Sequence, residues 1–483
     1  MNARPLSLRP DHRRRPRRLQ RIAFALLALL VLTRPTAQSA ERAAEPGTDP
    51  AKSPASAPLV IDPPKLRTQL PKVALRAPQA DSIAAAPYPA LQQALAAGRL
   101  DDARALAATA VDSTTRSHGE RDPRSVDARL NRAVVSLERG EVRLAGEQFT
   151  AVIDEASAIG GLRAPQLEAA WYGLGMSLLA AGNPADAERA FAAALQQRRI
   201  NAGLHTQDQV GYLDAMTLTA RSRSRLDLAD GFQLRRIELA ERLYGDASIE
   251  RAEAAQVLAD WYSSTGRHRE ALQVQAYRLD ILGRAFGRDD IRLVPALLDE
   301  ALAYAEVVDN FRERPVAIQT RNGTIVQSTE QPLNQALRLI RKHEPQLSAL
   351  ERGQMLIRIG DVHWIQGDRK RAVLAWQQAR AADASSARRL AQPEPLEWPA
   401  DWPQQAGLDA GGRLDVAFTV TDRGRVADIA VAEQTPAGDA AGKALATTLR
   451  RLLGRMSFRP ALGRDRAESR ADVHYRHLFQ PSS

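Results

Sequence analysis

The chain has 483 residues, 44% of them apolar, enough for two to four domains with ample cores. Its formal charge is +10, but eight arginines and one aspartate within residues 1–21 account for +7 of that, leaving +3 over the rest. So weak a balance argues against a nucleic-acid surface along the body of the protein. Cysteine is absent, which excludes disulfides and a lipid-modified cysteine.

Ile22 to Thr33 reads IAFALLALLVLT, an apolar run between the arginines and the small residues of Thr36 to Ala40. Basic, short apolar and then small is the layout of an export signal. Cleavage is expected after Ser39 or Ala40, making residues 1–40 a signal peptide and the mature protein periplasmic. A membrane span needs about 20 apolar residues, so the run is short for one. Left uncleaved, residues 22–33 would be a short anchor, an inner-membrane tether. Residues 41–88 are rich in proline and alanine, from Pro46 to Pro87, and read as an extended, semi-rigid linker.

From about residue 89 a 42-residue period takes over. Gly119, Gly161, Gly203, Gly245 and Gly287 form one ladder. Gly98, Gly140, Gly182 and Gly266 form a second, with Ser224 at the missing rung, and Ala103, Ala145, Ala187, Ala229 and Ala271 a third. A fixed period of this length is the mark of a repeat array. In the unit Leu243 to Gly283, Ala255, Leu258, Ala259 and Tyr262 share one face of a helix that Gly266 terminates. Arg269 to Leu282 is a second helix. Ala133, Gly175, Thr217 and Ala259, with Ala145, Ala187, Ala229 and Ala271, are the small residues that close helix packing requires.

These units resemble tetratricopeptide repeats. Trp171, Leu174 and Gly175 fit the W-x-x-L-G signature, followed by Gly182, Ala187, Phe191 and Ala194. The 42-residue form with a glycine link is similar to the kinesin-light-chain type. Unit three departs from it at Ser224 and Gln233. The resemblance covers residues 89–385, including an out-of-register unit at Leu350 to Asp383. That shift follows from an insertion: residues 316–328 read VAIQTRNGTIVQS, with Asn322-Gly323 between alternating β-formers, a β-hairpin signal. The helix Pro332 to His343 then supplies the second half of the interrupted unit.

Residues 386–407, holding Pro393 and Pro403, read as a linker. Beyond them the period becomes two. Leu414 to Val420 and Val426 to Ala432 are strands around a turn at Gly424, Ala440 to Arg455 is a helix, and Asp472 to Phe479 is a last strand. This order, with Phe458-Arg459-Pro460-Ala461 ahead of Gly463, makes residues 408–483 resemble the C-terminal domain of TonB. That resemblance implies that a partner adds as a strand to the last strand, presenting Val473, Tyr475, His477 and Phe479. The expected fold class is mainly α: a tetratricopeptide-like α-α superhelix with one inserted hairpin, then a small α+β TonB C-terminal-like domain.

The tetratricopeptide resemblance also implies a groove along the first helices. Its expected lining is Leu130, Val134, Tyr172 and Met176 at an apolar end, then Asp214, Leu218, Arg221, Gln256, Asp260 and Ser263 at a polar end. Such a surface suits a peptide or protein segment. No nucleophile elbow, P-loop, Rossmann fingerprint or paired-histidine zinc helix is present, so no catalytic, cofactor or metal residue is assigned. His474 and His477 are three apart on a strand and point to opposite faces. The reading is a non-enzymatic periplasmic scaffold for envelope proteins. The alternative is a membrane-anchored energy transducer of the TonB type, serving outer-membrane transport.

Overall fold

The structure is a computed structural model that describes residues 59–61, 70–78, 87–311, 316–320, 323–327, 330–396, 398 and 411–479. The signal segment 1–40, with its cleavage positions Ser39 and Ala40, lies outside them. So does Asn322 of the inserted turn.

Antiparallel helix pairs follow one another from residue 88 to residue 382. They are α1 (Tyr88–Ala96) with α2 (Leu100–His118), α3 (Pro123–Glu138) with α4 (Val142–Gly160), and α5 (Leu167–Ala180) with α6 (Pro184–Ala202). Next come α7 (Gln209–Ser222) with α8 (Leu226–Tyr244), and α9 (Ile249–Ser264) with α10 (His268–Phe286). The array ends with α11 (Val294–Phe311) and α12 (Glu330–His343), then α13 (Ala349–Ile365) and α14 (Arg369–Ala382). This is the mainly α, tetratricopeptide-like superhelix the repeats predict. Between α11 and α12 the chain forms β2 (Val316–Thr320) and β3 (Gly323–Gln327), an antiparallel pair closed at Thr320 and Gly323. The interrupted unit still closes, because Ala336 of α12 is fully buried at its small-residue position.

The two glycine ladders do different work. At the end of α5, Gly182 has φ +78°, and the Asn183 amide donates to the Leu178 carbonyl at 2.8 Å. This is a Schellman closure of the helix end. Ser224 takes φ +56° in the same place, and the Arg225 amide donates to the Ala220 carbonyl at 2.9 Å. The left-handed helical region costs a non-glycine residue about 1–2 kcal/mol, which a single rung can tolerate. The other ladder is stricter. Gly203 has φ 98° with ψ 171°, a combination essentially reserved for glycine. The serine therefore falls on the permissive ladder.

The small residues sit at helix contacts. Ala133, Ala145, Ala187, Ala229, Ala259 and Ala271 are buried, as are Thr217 and Gly175. A Cβ on Gly175 would lie 2.6 Å from the Phe191 ring, and one on Gly360 2.3 Å from Trp376. Bulk on one helix is matched by its absence on the other.

The C-terminal strands are β5 (Gly412–Val420), β6 (Val426–Thr435) and β10 (Arg470–Phe479), packed by α16 (Ala440–Leu453). Leu59–Ile61 (β1) joins them, and the sheet order is β1-β10-β5-β6. Leu414, Val416, Phe418, Val420, Val473 and Tyr475 form the core with Leu449 and Leu453. Phe458–Arg459 (β7) pairs with Glu394–Pro395 (β4), and Ala461–Leu462 (β8) with Ala467–Glu468 (β9).

Parts of the two stretches read as linkers, 41–88 and 386–407, are structured among the described residues. Residues 59–61 and 70–78 dock onto the folded body, and residues 384–395 hold α15 (Ala384–Leu390) and β4. Backbone pairing to distant strands leaves little trace in a local pattern. β4 brings an ion cluster with it. The Arg459 guanidinium is 1% exposed and donates to Asp361 of α13 at 3.0 Å and to Glu394. Arg389 also donates to Glu394, to Oε2 at 2.8 Å and to Oε1 at 2.5 Å, and the Trp376 indole donates to Asp361 at 3.1 Å. Burial pushes the Asp361 carboxyl up, and Arg459 opposes that shift. Around this cluster Arg380 donates to the carbonyls of Gly463 and Arg464, and Gly424 lies against Trp364. The C-terminal sheet is thus fixed to the last helix pairs.

Packing at the two kinds of helical glycine sets opposite expectations. Gly175→Ala should lower stability by about 1–3 kcal/mol through overpacking. Gly231→Ala, also helical but with nothing within 4 Å of the new Cβ, should raise it by about 0.5–1 kcal/mol. Thermal unfolding midpoints moving in opposite directions would bear this out. Arg459→Leu strands the Asp361 carboxylate without its cation, while Glu394 keeps Arg389, and should cost about 3–5 kcal/mol in urea unfolding.

Candidate functional site

The groove along α3, α5 and α7 contains a segment of the protein itself. Leu70 to Pro78 runs along it as a strap with alternating burial: Val73 is buried, Ala74 exposed and Leu75 half-buried. Val73 joins the apolar cluster that holds Leu130, Val134 and Tyr172, with Leu70, Leu75 and Met176 packed on it. Pro71 sits over α7, where Gly211 leaves its space: a Cβ there would be 2.7 Å from the proline ring. The Tyr172 hydroxyl donates to the Pro71 carbonyl at 3.0 Å.

At the other end one side chain takes both backbone groups of Arg76. The Arg76 amide donates to Asn131 Oδ1 at 2.7 Å, and Asn131 Nδ2 donates to the Arg76 carbonyl at 2.9 Å. The Arg76 guanidinium lies 2.6 Å from the buried Asp127 carboxylate, which also accepts from Gln166 at 2.8 Å. Burial raises the Asp127 carboxyl above its ordinary range, and Arg76 pulls it back down. Protonating Asp127 as pH falls therefore weakens the strap's ionic contact. Tyr88 donates to the Leu75 carbonyl at 3.3 Å, and Lys72 pairs with Glu138 at 2.6 Å.

Beside the strap lies a cavity of about 940 Å³ that continues to α9. Glu168, Asp208, Asp214, Glu250 and Glu253 line it against Arg198 and Arg236, five carboxylates against two arginines of the array. Asp214 is held by Arg236 at 2.8 Å, and burial raises its carboxyl. Tyr212 donates to Glu168 at 2.6 Å, and burial, then that carboxylate, raises its hydroxyl.

Of the groove positions expected from sequence, Tyr172 and Asp214 line this cavity. Leu130 and Val134 are correctly on the groove helices but are buried core, at 0% and 1% exposure. Gln256 is buried and donates to Asp260 at 2.6 Å. Arg221 stacks toward Trp261, and Ser263 reaches Glu306. Leu218 and Met176 are half-buried. Sequence reasoning missed Asp127, Asn131, Gly211 and Glu253. Asp127, Ala169, Gly211 and Glu253 are 42 residues apart, one helical turn before the row Leu130, Tyr172, Asp214 and Gln256. A glycine inside α7 was the available signal.

The expected receiving edge needs a correction. Val473, Tyr475, His477 and Phe479 face the core, and the β10 edge is already taken at residues 473–475. β1 lies parallel to it, with Leu59 opposite Val473, Val60 opposite His474 and Ile61 opposite Tyr475. Unpaired strand groups attract any chain that can reach them, and here the chain's own N-terminal region does. His474 contacts Asp415 at 2.7 Å while His477 is buried beside Tyr475, so the two histidines do occupy opposite faces.

No protein-family model matches this chain, and no curated protein matches it. Among solved structures it is similar to the C-terminal part of a TPR repeat-containing protein from Cytophaga hutchinsonii, at 13% identity. That match covers 62% of this chain and 98% of the other, with a TM-score of 0.38. Kinesin-light-chain TPR-like repeats from Podosopora anserina match at 13% identity over 42% of this chain and 95% of theirs, TM-score 0.37. The TPR2AB domain of yeast Sti1 in its pHSP90 complex matches at 17% over 64% and 95%, TM-score 0.22. With scores this low, the superhelical fold rests on the helix pairs themselves.

The Gly211 seat yields a prediction. Gly211→Ala keeps α7 helical but expels Pro71 from its place. Trypsin should then cut after Lys72 and Arg76 at least several-fold faster than in the unaltered protein. The rate of cleavage elsewhere in the array should not change.

Proposed function

We propose that this protein is a non-enzymatic, exported interaction scaffold of the cell envelope. Its helical array holds an extended segment of a partner, and its TonB C-terminal-like domain docks a second partner by strand addition to β10 in place of Leu59–Ile61. One observation carries this proposal. The groove already seats an extended stretch of chain, Leu70 to Pro78, through a tyrosine and an asparagine that bind backbone. Backbone contacts supply affinity for any extended segment, and flanking pockets supply choice. The sheet supports the second half in the same way, since Leu59–Ile61 adds to β10 as a strand from elsewhere in the chain. Export rests on the layout of residues 1–40 alone.

A photocrosslinking residue at Glu250 or Glu253, both lining the cavity, tests this in cells, with exposed Leu374 on α14 as a control. Adducts with envelope proteins are expected from the groove positions and not from Leu374. No adduct from the groove under any growth condition would rule the scaffold out. Mass spectrometry of the mature chain should find an N-terminus at Ala40 or Glu41. An intact N-terminus would favour the anchored transducer instead.

A further inference from the structure

Resting on the reading that the groove takes an extended partner segment, we propose that residues 70–78 are a built-in competitor for it. The groove is reserved for a partner protein's cationic, proline-containing segment, and the strap holds it shut until that segment displaces it.

The contacts divide into two kinds. Tyr172, Asn131 and Tyr88 bind the carbonyl and amide groups of the strap. They would serve another extended backbone equally well. The remaining contacts select side chains. Gly211 clears room for the ring of Pro71, the apolar floor takes Val73, and Asp127 takes Arg76. A displacing segment therefore carries a proline, an apolar residue two positions later and an arginine three positions after that.

Charge points the same way. The array lines the cavity beside the strap with five carboxylates against two arginines, and the strap brings Lys72 and Arg76 to it. A partner segment with basic residues is complementary to that lining. The cavity also continues past Pro71 to α9, so a longer partner segment has contacts there that residues 70–78 do not use. A competitor of this kind lowers the apparent affinity of every partner by the fraction of chains whose groove is open.

The test uses the full chain and a fluorescein-labelled nonapeptide of the strap sequence, LPKVALRAP, followed by fluorescence anisotropy. The variant Val73→Asp with Arg76→Glu unseats the strap and leaves the groove residues untouched. A second strap variant, Pro71→Asp, guards against misfolding, and circular dichroism checks the helices of both. The peptide should bind the strap variants at least tenfold more tightly than the unaltered chain. Adding Gly211→Ala to a strap variant should abolish that binding, and a peptide with glutamate for lysine and arginine should not bind. Equal affinity for altered and unaltered chains overturns the competitor and leaves the groove reading standing. No binding to a correctly folded strap variant overturns the groove reading, and the competitor with it.

Discussion

Asn131 takes both backbone groups of Arg76, and the arrangement of the groove follows from the need this meets. An extended chain makes no hydrogen bonds within itself. Each amide or carbonyl it withdraws from water must find another partner or cost stability. Asn131 and Tyr172 meet that need at the two ends of the strap, and Val73 between them is buried against the array. β1 meets it differently, by joining a sheet. Two parts of one proline-rich stretch thus find two different solutions to the same problem.

The ion cluster at Arg459 decides how the C-terminal domain is carried. A short tail joined by a flexible linker would need no buried charge. Here Arg459 bridges a helix of the array and a strand that pairs with its own. Removing either side leaves a charge without its partner, so the cluster specifies one docking geometry more than it adds stability. The described residues from Leu59 to Phe479 accordingly form one compact unit.

The array was legible in the sequence because its constraints repeat. Glycine at a helix end and a small residue at a helix contact recur every 42 residues, and recurrence separates them from chance. The hairpin was legible from its alternation and turn. The strap was not, because nothing local marks Leu70 to Pro78 as a ligand. Its partners are remote in sequence: Asn131 is 55 residues from Arg76, and Tyr172 is 101 from Pro71. Of the groove positions expected from sequence, Tyr172 binds the strap and Leu130 and Val134 pack with Val73, while Asp127, Gly211 and Glu253 lie one turn earlier on the same helices. The paired edge of β10 was hidden for the same reason, since strand addition uses backbone and requires little of the side chains.

Occupation of the groove by residues 70–78 is open to a direct test, because cysteine is absent from the chain. A Cβ on Gly211 would lie 3.9 Å from the Cβ of Pro71, within the range a disulfide spans. In the double variant Pro71→Cys with Gly211→Cys, mild oxidation should give an intramolecular disulfide in nearly every chain, seen by mass spectrometry of monomeric protein. Thiols that stay reduced, or that join only between chains, would show that the strap does not fill the groove.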